Sequence, residues 1–184
     1  MSIHYVIIAR DSRVILADYS TNNANYQTSV STILPKLQPN RRRYFQSDNC
    51  RIFTHCIDDL QFVCLTDIEY KMEAGYSFLE AVRQALLKKF NSEEVKNALT
   101  VAPVMSKELK NIVNDYNNNP ESDKAKLITA DLIEVKDRTA ENLSSILDRT
   151  IKIDIIRAKT ENMRGISVGF KATVSCFIIL GTSI

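Results

Sequence analysis

The sequence predicts an α+β protein: a five-stranded antiparallel sheet flanked by helices, followed by one long coiled-coil helix. Three observations carry that expectation. Five short runs rich in β-branched and aromatic residues are separated by turn-forming residues. Two later stretches place apolar residues at helical spacing. From Asp123 to Phe177 apolar residues recur at alternating intervals of three and four, with a single arginine in the seam.

In chain order, His4 to Ala9 and Val14 to Tyr19 are strand-like runs joined by Asp11-Ser12-Arg13, which reads as a hairpin. Ser20 to Asn25 is a polar loop. Tyr26, Val30, Ile33, Leu34 and Leu37 then fall at helical spacing. Pro35 is expected to kink or end that helix, because it lacks an N–H and crowds the preceding turn. Strands are expected at Arg43–Gln46, Arg51–Ile57 and Gln61–Asp67, with turns at Ser47-Asp48-Asn49 and Asp58-Asp59. Phe62 to Leu65 is the most continuously apolar run and belongs at the centre of the sheet.

Ala74 to Phe90 is the clearest helix. Phe78, Val82, Ala85, Leu86 and Phe90 line one face, and Glu80, Arg83, Lys88 and Lys89 the other. A shorter helix over 106–116 turns Met105, Leu109, Ile112 and Val113 inward. The asparagines and proline of residues 114–122 end it and make a solvated linker, with Ser122 or Asp123 placed to cap the next helix. The expected division is 1–115 for the sheet domain, 116–122 for the linker, 123–177 for the heptad segment and 178–184 for a short apolar tail.

The seam runs Ala125, Ile128, Leu132, Val135, Thr139, Asn142, Ile146, Arg149, Ile153, Ile156, Thr160, Met163, Ser167, Phe170, Val174 and Phe177. Its spacing averages about 3.5 residues, the period of helices that supercoil around partners. One helix cannot bury such a stripe alone, so a bundle is implied. Arg149 offers five donors and no acceptor, and burying it unpaired would cost several kcal/mol, so partners must bring oxygen acceptors to its layer. The plainer reading is an amphipathic surface helix whose arginine snorkels to water.

Composition narrows the function. The chain has 184 residues, 45% hydrophobic and 25% charged, and a net charge of +2, too weak to argue for nucleic acid. Cys50, Cys56, Cys64 and Cys176 show no metal-ligand or disulfide-framework spacing and read as reduced thiols. No basic leader precedes an apolar core at the N-terminus, so no signal peptide is expected. His4 and His55 lie inside strand-like runs and read as structural. Asp58 and Asp59 read as turn residues, and none of the four glycines falls in a phosphate-binding loop. Arg41-Arg42-Arg43, with Lys36 nearby, reads as a solvated loop, with contact to acidic lipid headgroups as the alternative. No enzyme, cofactor, metal or small-molecule substrate is expected.

The run ILDRTIKIDIIRAKTENMRGISVGF, from Ile146 to Phe170, resembles the central and C-terminal half of the motif in R-SNAREs of the longin-type vesicle-associated membrane protein (synaptobrevin-like) family. The resemblance rests on the arginine, apolar residues four and seven positions later, Thr160-Glu161-Asn162-Met163, Phe170-Lys171, and Asn142 seven residues before the arginine. The stretches MSIHYVIIARDSRVILADYS, RIFTHCIDDLQFVCLTDIEY and FLEAVRQALLKKF resemble the profilin-like longin domain of the same family. Thr139, Ser144, Ser145, Gly165 and Gly169 depart from a strong helix pattern.

That resemblance implies an R-SNARE of vesicle trafficking. Arg149 would be the ionic zero layer, met by glutamines from three Q-SNARE helices, and the other seam residues would be the layers of a four-helix bundle that drives membrane fusion. It places the protein on the cytoplasmic face of vesicle or endosomal/Golgi membranes. It also implies that the longin domain regulates, by fold-back of the seam or by binding a trafficking adaptor in a groove between its first helix and third strand. By position the groove residues are Ile33, Leu34, Leu37 and Tyr44, although Gln46, on the face of Tyr44, is polar, and the same apolar residues are equally suited to fill the core. The eleven residues from Val174 to Ile184 are too few to span a bilayer, so membrane association would use a longer anchor or S-acylation at Cys176. The alternative is a soluble longin-type adaptor whose helix packs on its own domain.

Overall fold

The computed structural model describes residues 1–22, 26–47, 49–98, 100–119 and 141–142. In chain order these form β1 (Ile3–Arg10), β2 (Val14–Ser20), α1 (Tyr26–Ser31), a 3-10 turn (Leu34–Lys36), β3 (Arg42–Gln46), β4 (Cys50–Ile57) and β5 (Leu60–Asp67). Then follow α2 (Met72–Lys89), α3 (Ser92–Asn97), α4 (Ala102–Asn118) and β6 (Glu141–Asn142). The sheet order is β2-β1-β5-β4-β3-β6. The first five strands are antiparallel to their neighbours, and the two-residue β6 is added parallel to β3.

Local chemistry sets the boundaries. Asp11 and Ser12 in the first hairpin, and Asp58 in the hairpin joining β4 to β5, take positive φ (52°, 60° and 51°). Aspartate tolerates this region better than most side chains do. The helix expected across 26–37 stops at Ser31, and Pro35 sits in the separate 3-10 turn. Proline cannot donate the next helical hydrogen bond and disfavours α geometry in the residue before it. α4 begins four residues before the expected start, with proline in its first turn, where no N–H is required. It also runs through Asn118, into the stretch read as linker.

α3 is an addition to the expected elements. Its capping box was present in the sequence as Asn91-Ser92-Glu93-Glu94. The Asn91 side chain accepts from the Glu94 N–H, and the Glu94 carboxylate accepts from the Asn91 N–H.

β5 lies inside the sheet between β1 and β4, and Phe62 to Leu65 are all buried, as the apolar run implied. The strands alternate between two cores. One face, carrying Val6, Ile8, Phe53, Phe62 and Cys64, is covered by α2 and α4 through Phe78, Leu79, Val82, Met105 and Leu109. The other, carrying Tyr5, Ile7, Phe45, Ile52, Val63 and Leu65, is covered among the described residues by Tyr26, Val30, Ile33, Leu34 and Leu37. On the first face Gly75 of α2 lies against the Phe53 ring, where an added Cβ would meet ring carbons at 2.7–2.8 Å. Only glycine lets helix and sheet approach that closely.

Candidate functional site

Strand alternation decides which side chains line the proposed groove. Ile33, Leu34 and Leu37 are 0%, 1% and 9% exposed and face the sheet from the α1 side. They fill the domain core there rather than line an open surface. Tyr44 does not join them. It packs on the opposite face, stacked on Phe53 at 6.1 Å between ring centres with the Arg51 guanidinium 5.5 Å above its own ring. The strand residue on the α1 side is Phe45, fully buried. Assigning Tyr44 to the groove is therefore off by one residue. Successive side chains of a strand point to opposite faces, and a five-residue strand ringed by arginines gives no amphipathic pattern to fix the phase. Gln46 does share the face of Tyr44, and its amide oxygen accepts from Arg51 at 2.8 and 3.2 Å.

The functional feature of β3 is its outer edge. Ser47 N–H donates to the Cys50 carbonyl and Cys56 N–H to the Arg41 carbonyl, so the odd-numbered residues of β3 bond to β4. Backbone groups of an antiparallel strand alternate in direction, leaving those of Tyr44 and Gln46 pointing away from β4. Such an edge is a template for another strand. Glu141 and Asn142 take that place, with Glu141 in register with Phe45 and Asn142 with Gln46. Asn142, assigned to the helical seam from its spacing, is thus extended here. The short β6 was invisible to sequence reasoning, since two polar residues inside a heptad pattern carry no strand signal. Arg149, the remaining seam residues and Cys176 lie outside the described residues.

Beside this edge is a buried polar cluster. Arg42 Nε donates to His55 Nε2 at 3.0 Å, which puts the imidazole proton on Nδ1. That Nδ1 has no hydrogen-bond partner among the described residues and stands 3.9 Å from Glu80 Oε2. Glu80, expected on a solvent face, is buried, accepting from Arg83 at 2.7 Å and lying 3.8 Å from Arg42. Burial, followed by the Arg42 and Arg83 charges, lowers the His55 pKa to about 3, so the ring is neutral at any ordinary pH. The cluster fastens β3 and β4 to α2. Burial likewise pushes the Cys56 thiol up to about 11 and raises that of Cys64, which leaves both unreactive. Among the described residues no group of three or more side chains could hold a metal ion, and no helix is long and apolar enough to cross a membrane.

Residues 16–113, more than half the chain, match the family model "Longin: Regulated-SNARE-like domain". The chain belongs to the longin family. Vesicle-associated membrane protein 712 of Arabidopsis thaliana is 29% identical over 177 residues, covering 93% of this chain and 79% of that protein. Vesicle-associated membrane protein 7 of Mus musculus is 26% identical over 179 residues, covering 94% and 79%. Coverage this wide runs past the longin domain into the heptad segment. A solved structure described as the yeast R-SNARE Nyv1p, a novel longin domain protein, superposes with a TM-score of 0.42 at 13% identity, covering 77% of this chain and 97% of that one. The assignment stands on the family model and not on that superposition. The longin R-SNAREs are proteins of vesicle trafficking and not enzymes.

Proposed function

We propose that the chain is an R-SNARE whose heptad segment zippers with three Q-SNARE helices to draw vesicle and target membranes together, and that its longin domain holds the segment back until partners arrive. Arg149 supplies the ionic layer, and the apolar seam from Ala125 to Phe177 supplies the driving force through burial. S-acylation at Cys176 or an anchor following the tail would tie it to the cytoplasmic face of vesicle, endosomal or Golgi membranes. One observation carries the regulatory half: Glu141–Asn142, eight and seven residues before the arginine, is paired as a strand with β3. A residue cannot be extended on the sheet edge and helical in a bundle together. The two states therefore exclude each other, and partner helices must outcompete a sheet edge.

The test is to mix the full chain with sets of cognate Q-SNARE helices. Far-ultraviolet circular dichroism should show helicity rising beyond the sum of the parts, an SDS-resistant complex should form, and the Gln46 amide should lose its protection from hydrogen exchange. A protein whose Gln46 amide stays protected and whose helicity stays additive across several sets would be the alternative, an adaptor with its helix kept permanently on its own domain.

A further inference from the structure

The arginines at 41–43 are not the solvated loop that their composition suggested. Arg42 and Arg43 lie within β3, and Arg41 just precedes it. Charges on an edge strand ordinarily deter unwanted pairing. That accounts for Arg41, which is exposed, and for Arg43, which lies on the α1 side and donates to Gln38 at 2.9 Å. It does not account for Arg42, which turns inwards on the α2 side.

There the donors outnumber the acceptors. Arg42 Nε donates to His55 Nε2, and its Nη2 stands 3.8 Å from Glu80 Oε2. Arg83 donates to Glu80 Oε1 at 2.7 Å, and Gln84 Nε2 reaches the same oxygen at 3.4 Å. The His55 ring is 4% exposed, and its Nδ1–H, 3.9 Å from Glu80, has no hydrogen-bond partner among the described residues. Each guanidinium offers five N–H groups and no acceptor, yet the groups facing them are one carboxylate and one imidazole nitrogen. Charge is out of balance in the same sense. Two guanidinia, at 23% and 31% exposure, share the single negative charge of Glu80. Positive charge held partly out of water without compensation is costly, and an anion with several oxygens relieves both deficits at once.

We propose that Arg42 and Arg83 clasp the phosphate monoester of an acidic membrane lipid, seating this flank of the longin domain on the bilayer. A phosphate monoester carries close to two negative charges at neutral pH, and its oxygens match the guanidinium fork in paired hydrogen bonds. The surroundings suit a lipid better than a soluble phosphate. Leu87 is 41% exposed one turn beyond Arg83 on α2, where an apolar side chain can enter the headgroup boundary. Lys36 and Arg41, both exposed on the segment that leads into β3, add attraction towards an anionic leaflet. β3 itself carries no acid. Asp58 and Asp59 are exposed in the β4–β5 turn, and Glu73 lies two turns back along α2. The inference concerns the longin domain alone and stands apart from the β6 contact.

Vesicle binding of the full chain tests this. Phosphatidylcholine vesicles carrying a phosphatidylinositol monophosphate are compared with vesicles carrying phosphatidylserine at equal total charge, so that contact through the apolar tail cancels. The native chain should bind the first at least about tenfold more tightly. Arg83→Gln should abolish that preference, and so should Arg83→Lys, which keeps the charge but not the fork. Lys107→Gln, exposed on α4, should leave it unchanged. Leu87→Ser should weaken vesicle binding several-fold while binding of soluble inositol monophosphate stays the same. Should Arg83→Gln loosen the β1 and β5 amides in hydrogen exchange, Arg83→Lys and Leu87→Ser decide. Equal binding to the two vesicles leaves only a diffuse basic surface and overturns the clasp. A preference that survives both Arg83 substitutions puts the phosphate elsewhere and overturns it too. Soluble inositol monophosphate or a phosphotyrosine peptide binding as tightly as the vesicles, with Leu87→Ser silent, gives the site to another source and overturns the membrane assignment.

Discussion

The two faces of the sheet are built to different standards of permanence. α2 and α4, 18 and 17 residues long, close one face. The other is closed among the described residues by a six-residue helix and a 3-10 turn, yet Phe45 and Phe53, on opposite faces, are both fully buried. A short helix is marginal on its own and gains order from what it packs on. The thick face is the fixed scaffold. If β6 leaves its edge as proposed, the thin face beside that edge is where the exchange should cost least.

The largest effects should come from truncating those two rings. Phe53→Ala should lose about 5 kcal/mol, the upper part of the range for a buried phenylalanine, because the long helices cannot collapse into the cavity. Phe45→Ala should lose nearer 3 kcal/mol, because α1 and its turn can settle inwards. Urea unfolding of both measures the difference. Equal losses would mean that the two faces are equally rigid and would break the comparison.

The same asymmetry explains what could be read from the residues alone. Long periodic elements on the thick face were legible: Phe78, Val82 and Leu86 at helical spacing located α2, and Phe62 to Leu65 located the central strand. On the thin face the signals are short and compete. Pro35 divided a stretch whose apolar spacing read as one helix, and β3 alternates too little to reveal whether Tyr44 or Phe45 looks inwards. The heptad period of 123–177 reads as one continuous helix, so it could not announce that Asn142 would be extended at a sheet edge. Glu80 was misplaced to solvent because its companions Arg42 and His55 come from strands far away in the sequence.

Acid should act where the thick face is fastened, at the contact of β3 and β4 with α2. Unfolded, His55 titrates near 6.5, and folded it titrates near 3. Between these values the unfolded chain binds the additional proton, so the stability owed to the neutral ring is complete above about pH 6.5 and is lost as pH falls towards 3. The slope contributed is at most about 1.4 kcal/mol per pH unit. Urea midpoints measured from pH 7 to 4 should fall less steeply for His55→Gln than for the native chain, since glutamine keeps an acceptor for Arg42 and has no proton to gain. Identical slopes would show that other carboxylates dominate and that the Arg42–His55–Glu80–Arg83 cluster is not the sensitive joint.

Overpacking sharpens the contrast from the other direction. Gly75→Ala drives a methyl into the Phe53 ring and should lose about 1–3 kcal/mol. Because one clash accounts for the loss, Phe53→Leu, which removes the ring carbons the new Cβ would meet, should make the second substitution nearly neutral. Additive losses in the double variant would place the cost in the helix backbone instead.

The smallest expected effect lies at the margin of the thick face. α3 is only six residues long, and three things hold it: the Asn91 cap, Val95 buried in the α2–α4 core, and Arg10, which donates to the carbonyls of Val95 and Lys96 from β1. Asn91→Ala removes the acceptor for the Glu94 N–H at 2.8 Å and should lose about 1 kcal/mol. If the fixed face is as cooperative as its packing implies, that loss should appear in global unfolding and lower the protection of β1 and α4 amides in proportion. If α3 alone frays while those amides are unchanged, the helix is an appendage, and the permanence of this face belongs to α2, α4 and the strands beneath them.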